Sequence, residues 1–298
     1  MSLAAALSAA LGRPVTRLRP VAGGDLNAAY AVELACGDRV FVKTHPDPPP
    51  GSFEAEAAGL RWLAAARALP VPEVLAVDGR MLALSWVDQA PTARLDGPGE
   101  EALGRGLAAL HAAGAPAFGA TAPGTPPAPG APDGIPPLRI GPLVLPNDPA
   151  PTWGAFYAER RIAPLTALAQ DRGALPTGTA AALDALCARM DELAGPPEPP
   201  ARLHGDLWSG NVLTAADGRP HLVDPAAHGG HREVDLAMLR LFGGPAERCF
   251  AAYAEVAPLA PGHEQRVPLF QVLPLLVHAV LFGGSYGAAV AANIARCG

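Results

Sequence analysis

Residues 204–211 read HGDLWSGN, and Asp224 follows thirteen residues after Asn211. Two strand-like runs between them flank Asp217-Gly218, a dipeptide typical of hairpin turns, so we expect Asn211 and Asp224 to lie close together. A kinase-type site needs one aspartate to accept or orient the proton of the attacking hydroxyl, and an asparagine and a second aspartate to hold the metal ions that bridge the phosphates. Hard Mg²⁺ prefers such oxygen ligands. The pattern therefore predicts phosphoryl transfer from Mg-ATP.

Each of these residues also has an ordinary structural interpretation. Asp and Asn in loops are common turn formers, and Asp224-Pro225 is a common turn opener. His204 could equally be a hydrogen-bonded core histidine. The joint pattern, with a lysine on an early strand and a glutamate on the next helix, is much harder to obtain by chance. We therefore favour the catalytic interpretation.

The lysine is Lys43, the only lysine in a chain that contains twenty-one arginines. Where arginine would serve, this chain uses arginine, so Lys43 is expected at a site that needs a compact ammonium as a point charge. It lies in the strand-like run 39–44, and we expect it to contact the α- and β-phosphates of the nucleotide. The alternative is a surface lysine without a role.

The glutamate is Glu56, the predicted partner of that lysine. Residues 53–68 predict a helix capped by Ser52, in which Glu56 shares one face with Leu60 and Leu63. A carboxylate on the apolar face of a helix needs a cationic partner. The alternative is a glutamate at the edge of the apolar stripe that reaches water.

The order of strands and helices predicts a small sheet-rich lobe followed by a larger helical one. Residues 115–151 hold twelve of the thirty-five prolines, and we predict a mobile loop there because the segment is too long for an ordinary connection. The paired glycines Gly23-Gly24, ahead of Asn27, predict a backbone loop that approaches a ligand closely. The predicted hairpins are 30–34 with 39–44 and 71–76 with 81–86, and the predicted helices are 2–11, 99–113, 152–170, 178–194 and most of 233–298.

Several motifs together resemble the fructosamine kinase (ketosamine-3-kinase) family, which has the aminoglycoside-phosphotransferase branch of the protein-kinase-like fold. HGDxxxGN alone marks the whole branch, whereas Leu-Trp-Ser inside it and GHREVDLAM at 230–238 are far more specific. The resemblance extends over nearly the whole chain, including WGAFYAERR at 153–161 and the segment 274–286. It implies an α+β, two-lobed fold, with a small antiparallel-sheet nucleotide-binding lobe (1–87) and a mostly helical catalytic and substrate lobe (88–298).

The resemblance also implies a role for each matching residue. Asp206 would be the catalytic base, Lys43 the phosphate lysine and Glu56 its partner. The remaining roles are nucleotide binding by Gly23, Gly24, Asn27 and the hinge Ser85, Trp86 and Val87; Mg²⁺ binding by Asn211 and Asp224; and substrate binding by Trp208 and His204.

Two residues depart from the family pattern. Asp25 stands where many relatives have cysteine, so we expect no redox switch there. Ser85 replaces the glutamate that is usual at the hinge, although a backbone contact to adenine should survive this change.

The expected reaction is ATP-dependent phosphorylation of a sugar hydroxyl of a ketoamine, free or protein-bound, as in protein deglycation. One alternative is a small-molecule kinase of the same branch that acts on another hydroxylic or amino-sugar substrate, such as an aminoglycoside. The other is a nucleotide-binding pseudokinase that serves as a scaffold, although a scaffold need not keep all four of Lys43, Asp206, Asn211 and Asp224.

Composition narrows the expected partners and location. A net charge of −6 disfavours a nucleic-acid partner. The apolar run 267–282 is interrupted and too short for a membrane span, so we expect a buried helix and no membrane. Residues 2–11 lack the basic start of a secretory signal. Four cysteines without a CxxC pair favour reduced thiols in a cytoplasmic protein, which we expect to be a monomer.

Overall fold

The computed structural model describes residues 2–21, 27–92, 94–128 and 134–297. Gly23 and Gly24, which are predicted to approach the nucleotide, lie outside the described residues, as does Asp25.

Five antiparallel strands of the described chain form the sheet of the N-terminal lobe, in the order β1-β2-β3-β5-β4. Both predicted hairpins are present, since β2 pairs with β3 and β4 with β5. The strands are β1 (Val15–Val21), β2 (Ala28–Leu34), β3 (Arg39–Thr44), β4 (Val74–Asp78) and β5 (Met81–Ser85).

Successive residues of β3 face opposite sides of this sheet. Val40 and Val42 are buried in a cluster with Leu7, a residue of helix α1 (Leu3–Leu11). Phe41 packs instead on the cluster that contains buried residues of helix α2 (Ser52–Ala65). Lys43 shares the face of Phe41, and β3 therefore directs the lysine towards α2.

Helix α2 confirms the predicted helix with two corrections. It ends at Ala65 rather than at residue 68. Its N-cap residue is Gly51, at a φ of 76° and without a side-chain cap hydrogen bond, and Ser52 is the first helical residue. The prediction that Ser52 caps the helix is wrong because Gly51, which adopts left-handed backbone angles at little cost, already makes the turn.

Helices dominate the C-terminal lobe, as predicted. Helix α3 (Gly97–Ala112) packs along α9 (Glu247–Val256) and contributes to one hydrophobic core, whereas α10 (His263–Phe282) contributes to a second core that contains Leu165, Leu203 and Phe270. The other helices are α4 (Trp153–Tyr157), α5 (Ala163–Asp171), α6 (Thr179–Ala188), α7 (Met190–Leu193), α8 (Glu233–Leu239) and α11 (Tyr286–Ile294). A π-helical turn, Ala158–Ile162, joins α4 to α5.

Short two-stranded ladders complete this lobe. The strands are β6 (Leu138–Ile140), β7 (Leu143–Leu145), β8 (Ala201–Leu203), β9 (Val212–Thr214), β10 (Pro220–Leu222) and β11 (His228–Gly230). β9 and β10 form the predicted hairpin after the HGDLWSGN segment.

The prediction of a mobile loop over 115–151 is wrong for part of that segment. β6 and β7 form a hairpin there, and Leu138, Leu143 and Leu145 are buried in the core of the C-terminal lobe. Strands of three residues are too short to stand out among prolines. Tertiary packing of three leucines, rather than local propensity, orders this stretch.

Helix α10 is the one helix of the described chain that is long and apolar enough to cross a membrane. Pro268 and Pro274 lie within it, and 67% of its most apolar stretch is buried. It is therefore a central helix of the C-terminal lobe, as the interrupted run predicted.

Candidate active site

A cleft of about 900 Å³ is lined both by strands of the N-terminal sheet and by the HGDLWSGN loop. With the exception of His204, every described residue that was predicted to form the site lines this cleft. These residues are Asn27, Lys43, Glu56, Ser85, Trp86, Val87, Asp206, Trp208, Asn211 and Asp224.

Lys43 links the two lobes at the centre of the cleft. Its Nζ donates to Glu56 Oε1 at 2.9 Å and to Asp224 Oδ1 at 2.5 Å. Burial alone would lower the pKa of Lys43, but the two carboxylates outweigh burial and raise it above the ordinary value, so the ammonium stays charged. Helix α2 lies close to the segment after Asp224, since a Cβ on Gly59 would be 3.2 Å from Cβ of Ala227.

Asp206, Asn211 and Asp224 are brought together by local hydrogen bonds. Asn211 Nδ2 donates to the backbone oxygen of Asp206 at 2.9 Å and to its Oδ2 at 3.0 Å. The backbone N–H of Val223 donates to the oxygen of Asn211 at 3.0 Å, so the β9–β10 hairpin places Asp224 beside the loop. Asp224 has a φ of 57°, a conformation that is uncommon for aspartate and clusters at functional sites.

Asp206 has the properties of a base that works near neutral pH. Burial raises its pKa to about 6, and the hydrogen bond from Asn211 opposes that rise. A pKa near the working pH makes a carboxylate both available as a base and able to hold a proton. At pH 7 and above, Asp206 is ionised and can accept a proton.

Asp235, on α8, fixes the backbone of the HGDLWSGN loop. Its Oδ2 accepts from the backbone N–H of His204 at 2.7 Å, and its Oδ1 accepts from that of Gly205 at 2.9 Å. Burial would raise the pKa of Asp235, but hydrogen bonds, including one with His111, hold it below the ordinary value. Asp235 lies in the GHREVDLAM motif, but no role was predicted for it from the sequence.

The prediction that His204 binds substrate is corrected by this geometry. Its side chain is fully buried, its Nε2 donates to the oxygen of Val223 at 2.9 Å, and its Nδ1 accepts from the N–H of Asp206 at 3.3 Å. Burial lowers the pKa of His204, which favours the neutral ring. His204 therefore ties the loop of Asp206 to the strand before Asp224 and does not face the cleft.

The predicted hinge, Ser85 to Val87, begins at the last residue of β5. The backbone N–H of Ser85 donates to Glu73 at 2.8 Å, and Ser85 Oγ accepts from the N–H of Glu73 at 2.8 Å. Ser85 therefore closes the end of the β4–β5 pair. The backbone N–H of Ser85 is thus already used within the N-terminal sheet, whereas Trp86 and Val87 line the cleft beyond the strand.

Aromatic side chains form one wall of the cleft next to Trp208. The indole of Trp208 is 38% exposed and meets Phe242 edge-on at 6.4 Å between ring centroids. Phe242 lies 4.8 Å from the ring of His278, which lies 5.0 Å from that of Tyr286. His278 and Tyr286 lie in a segment that carries the family resemblance, but no role was predicted from the sequence for either of them or for Phe242.

A divalent cation fits the oxygen donors of Asn211 and Asp224. Among the described residues there is no cluster of three or more His, Cys, Asp or Glu side chains that could hold a metal ion by itself. Mg²⁺ in phosphoryl-transfer sites is bound by one or two carboxylates together with substrate phosphates and water. One carboxylate and one amide oxygen therefore suit an ion that arrives with a nucleotide.

Three comparisons with known proteins bear on this site. The family model for fructosamine kinase matches residues 1–297. A protein of Thermus thermophilus named "Probable ketoamine kinase" is 38% identical over 267 residues, which cover 90% of this chain and 88% of that protein. A solved structure from Thermobifida fusca, named as a fructosamine-3-kinase, is 45% identical with a TM-score of 0.87, covering 99% of this chain and 98% of that one.

A more distant structure shows the fold. An aminoglycoside phosphotransferase solved with AMP-PNP and hygromycin B is 19% identical, with a TM-score of 0.64, and the match covers 99% of this chain and 97% of that one. The two-lobed, protein-kinase-like fold predicted from the sequence is therefore confirmed.

Proposed function

This chain belongs to the fructosamine kinase family, and we propose that it transfers the γ-phosphoryl group of ATP to a sugar hydroxyl of a ketoamine. The family resemblance inferred from the sequence is thereby confirmed, and the chain is a phosphotransferase. The proposal concerns its acceptor, its catalytic residues and its metal ion.

The observation that carries the proposal is the convergence of Asp206 with the Lys43–Glu56–Asp224 set in one cleft. Asp206 accepts the proton of the acceptor hydroxyl while the hydroxyl oxygen forms a bond to the γ-phosphorus. The bond from that phosphorus to the bridging oxygen breaks, and ADP leaves. Lys43, held by Glu56, neutralises charge on the nucleotide phosphates. Placing the buried ammonium of Lys43 between the partly buried carboxylates of Glu56 and Asp224 would be costly without such a use.

Asn211 and Asp224 are the residues that would hold Mg²⁺. The ion supplies charge stabilisation for the phosphates as they react. Lys43 donates to one oxygen of Asp224, so Asp224 is held in place before any nucleotide arrives. This arrangement supports a site that is organised in advance of binding.

The lining of the cleft favours a ketoamine over a polycationic aminoglycoside. Among the described lining residues the carboxylates are Glu56, Asp206 and Asp224, and each already has a role in the reaction. A pocket for a polycation would need further carboxylates. The aromatic wall, headed by Trp208, instead suits the apolar C–H faces of a sugar.

The proposal extends to partners and location. We propose a cytoplasmic monomer that acts on ketosamines, free or attached to proteins, and that binds neither nucleic acid nor membranes. The cysteines of the described chain are all free thiols, which supports a reducing compartment.

The test is a coupled ATP-consumption assay with fructoselysine, ribuloselysine and an aminoglycoside as acceptors, each with and without Mg²⁺. We expect turnover with at least one of the two ketosamines and none with the aminoglycoside. If only the aminoglycoside were phosphorylated, the acceptor would be an amino sugar and not a ketosamine. Nucleotide binding without transfer to any acceptor would favour a scaffold.

A further inference from the structure

The β6–β7 hairpin is a wall of the cleft to which no catalytic role has been given. Arg139, Ile140 and Gly141 of this hairpin line the same cavity as Asp206 and Trp208. The hairpin occupies part of the segment that composition alone marks as a loop. Its position in the cleft and its means of support can both be derived from neighbouring contacts.

The hairpin flanks the end of the cleft opposite the hinge. In the sheet, Val40 pairs with Ser85 at the hinge end and Thr44 pairs with Met81 at the far end, and four residues of strand span about 13 Å. The chain continues from Thr44 to Gly51, where a Cβ would be 3.3 Å from a terminal guanidinium nitrogen of Arg139. The hairpin therefore contacts the start of α2, which follows the Lys43 end of β3, and it lines the same cavity as Asp206 and Trp208, so we assign it to the acceptor side of the cleft.

The base of the hairpin is closed by Asn147. Two strands alone are marginally stable in water, so a wall made of one hairpin needs external support. Asn147 is 5% exposed, and its Nδ2 donates to the oxygen of Pro136 at 2.7 Å. This bond joins the residues that precede β6 and follow β7.

Arg161 holds Asn147 and the adjacent backbone by hydrogen bonds. Its two terminal nitrogens donate to Asn147 Oδ1 at 2.7 Å and to the oxygen of Pro146 at 2.6 Å. The side chain is 1% exposed, and within the described chain no carboxylate pairs with it, although its guanidinium lies 4.6 Å from the centroid of the Phe156 ring. Arg161 lies in the π-helical turn Ala158–Ile162, and such turns are frequent at functional sites.

A buried guanidinium without a counter-ion is a costly way to fill a core. Burial lowers the pKa of Arg161 to about 9, and its Nε has no hydrogen-bond partner. Buried charges are ordinarily paired or hydrogen-bonded, and the acceptors of Arg161 include the oxygen of Pro146 and the side chain of Asn147 at the base of the hairpin. The planar guanidinium reaches Pro146 and Asn147 from two separate nitrogens, a spacing that the single nitrogen of an ammonium does not reproduce.

We propose that Arg161 and Asn147 are positioning residues that fix the acceptor wall of the active site by holding the base of the β6–β7 hairpin. They set the affinity for the phosphoryl acceptor and leave nucleotide binding unaffected. The proposal rests on the proposed function only in that phosphorylation of a ketosamine is one of its measurements.

Asn147→Asp separates positioning from stability. The new carboxylate gives Arg161 a counter-ion, but it can no longer donate to the oxygen of Pro136. We expect KM for the ketosamine to rise about tenfold, with KM for ATP unchanged and a melting temperature equal to or above that of the wild type. An unchanged acceptor KM, or a joint rise of both KM values with a lower melting temperature, would overturn the proposal.

Arg161→Lys keeps the positive charge and replaces the planar guanidinium, with its two terminal nitrogens, by a single ammonium nitrogen. We expect kcat/KM for the ketosamine to fall about tenfold or more while KM for ATP stays constant. Arg189→Lys is the matched control, because Arg189 makes only a surface ion pair with Glu192, and it should behave as the wild type. Equal effects of the two substitutions would contradict the role of Arg161.

Hydrogen–deuterium exchange tests the same point without activity. In Asn147→Asp, amides of residues 136–147 should exchange faster than in the wild type, whereas those of α2 and β3 should not change. Unchanged exchange over 136–147 would refute the proposal. A wild-type protein that phosphorylates no ketosamine would refute the proposed function instead, and the exchange experiment would still decide the role of Asn147.

Discussion

The carboxylate of Asp206 accepts a hydrogen bond from Asn211 in a buried loop, and burial raises its pKa to about 6. Asp206→Asn keeps the shape of the side chain and removes the base. We expect kcat to fall roughly 10²–10⁴-fold, the usual range for general acid–base catalysis, with little change in KM for ATP. A near-normal kcat in this variant would contradict the assignment of Asp206 as the catalytic base.

The same pKa predicts how pH acts on activity and stability. Because the base must be ionised, kcat/KM of the wild type should fall as the pH drops through about 6. A raised folded-state pKa means that the ionised form destabilises the fold above pH 6. Asp206→Asn should therefore melt a few degrees higher than wild type at pH 8, and this gain should shrink as the pH falls from 6 to 4.

Lys43 donates to Glu56 and Asp224 at one point of the cleft, where the compact ammonium fits. Arginine carries the charge on a larger planar group, so Lys43→Arg should fold but lose most of its kcat/KM for ATP. Glu56→Gln keeps a hydrogen-bond acceptor for the lysine and should lose less. Circular dichroism checks the fold, and normal kinetics of Lys43→Arg would end the argument from the single lysine.

At the scale of elements, the loop of Trp208 shapes the acceptor side of the cleft. A Cβ on Gly210 would be 2.3 Å from Cη2 of Trp208, so glycine is what allows the indole to fold over its own loop. We expect Trp208→Ala to raise the ketosamine KM and to leave both the ATP KM and the melting temperature nearly unchanged. Gly210→Ala, which keeps the indole but displaces it, should raise the same KM.

The control for this wall is a substitution on the hinge side. Trp86 lines the cleft beside the expected adenine position and should affect the ATP KM when it is replaced by alanine. If Trp208→Ala instead lowered the melting temperature and impaired both substrates together, its indole would serve packing and not recognition.

The site was predictable from the sequence where spacing alone decides the geometry. Asn211 and Asp224 had to meet because a short hairpin joins them. Glu56 had to face inwards because helical spacing places it on the apolar side. His204 was assigned wrongly because its ring is held by the oxygen of Val223, nineteen residues away, and its backbone by Asp235, thirty-one residues away.

The elements that the sequence analysis missed share a different cause. β6 and β7 have three residues each, too few for a period-two pattern to emerge from a proline-rich stretch. Arg161 was part of a quoted motif, yet its contacts with Pro146 and Asn147 exist only after the hairpin has folded. Long-range contacts of this kind leave no local signal.

Across the whole molecule, the two lobes share buried contacts as well as the cleft. Leu63 of α2 lies in one apolar cluster with Leu103 and Leu107 of α3. The first lobe therefore shares part of its hydrophobic core with the second. The domain boundary after residue 87 remains a prediction. The ion pair of Lys43 with Asp224 spans the same junction in the cleft.

Because that ion pair joins the two lobes inside the cleft, we expect a bound nucleotide to stabilise both lobes against thermal unfolding. A ligand that binds only the folded state raises the melting temperature, and Mg²⁺ should add to the effect of ADP because Asp224 and Asn211 can hold an ion against its phosphates. We expect thermal shift assays of the wild type to show a larger shift with Mg²⁺ and ADP than with ADP alone. In Asp224→Asn the Mg²⁺-dependent part should disappear, while an exposed change at Asp217→Asn should keep it. An equal Mg²⁺ effect in Asp224→Asn and wild type would remove Asp224 from the metal site, whatever the activity of either protein.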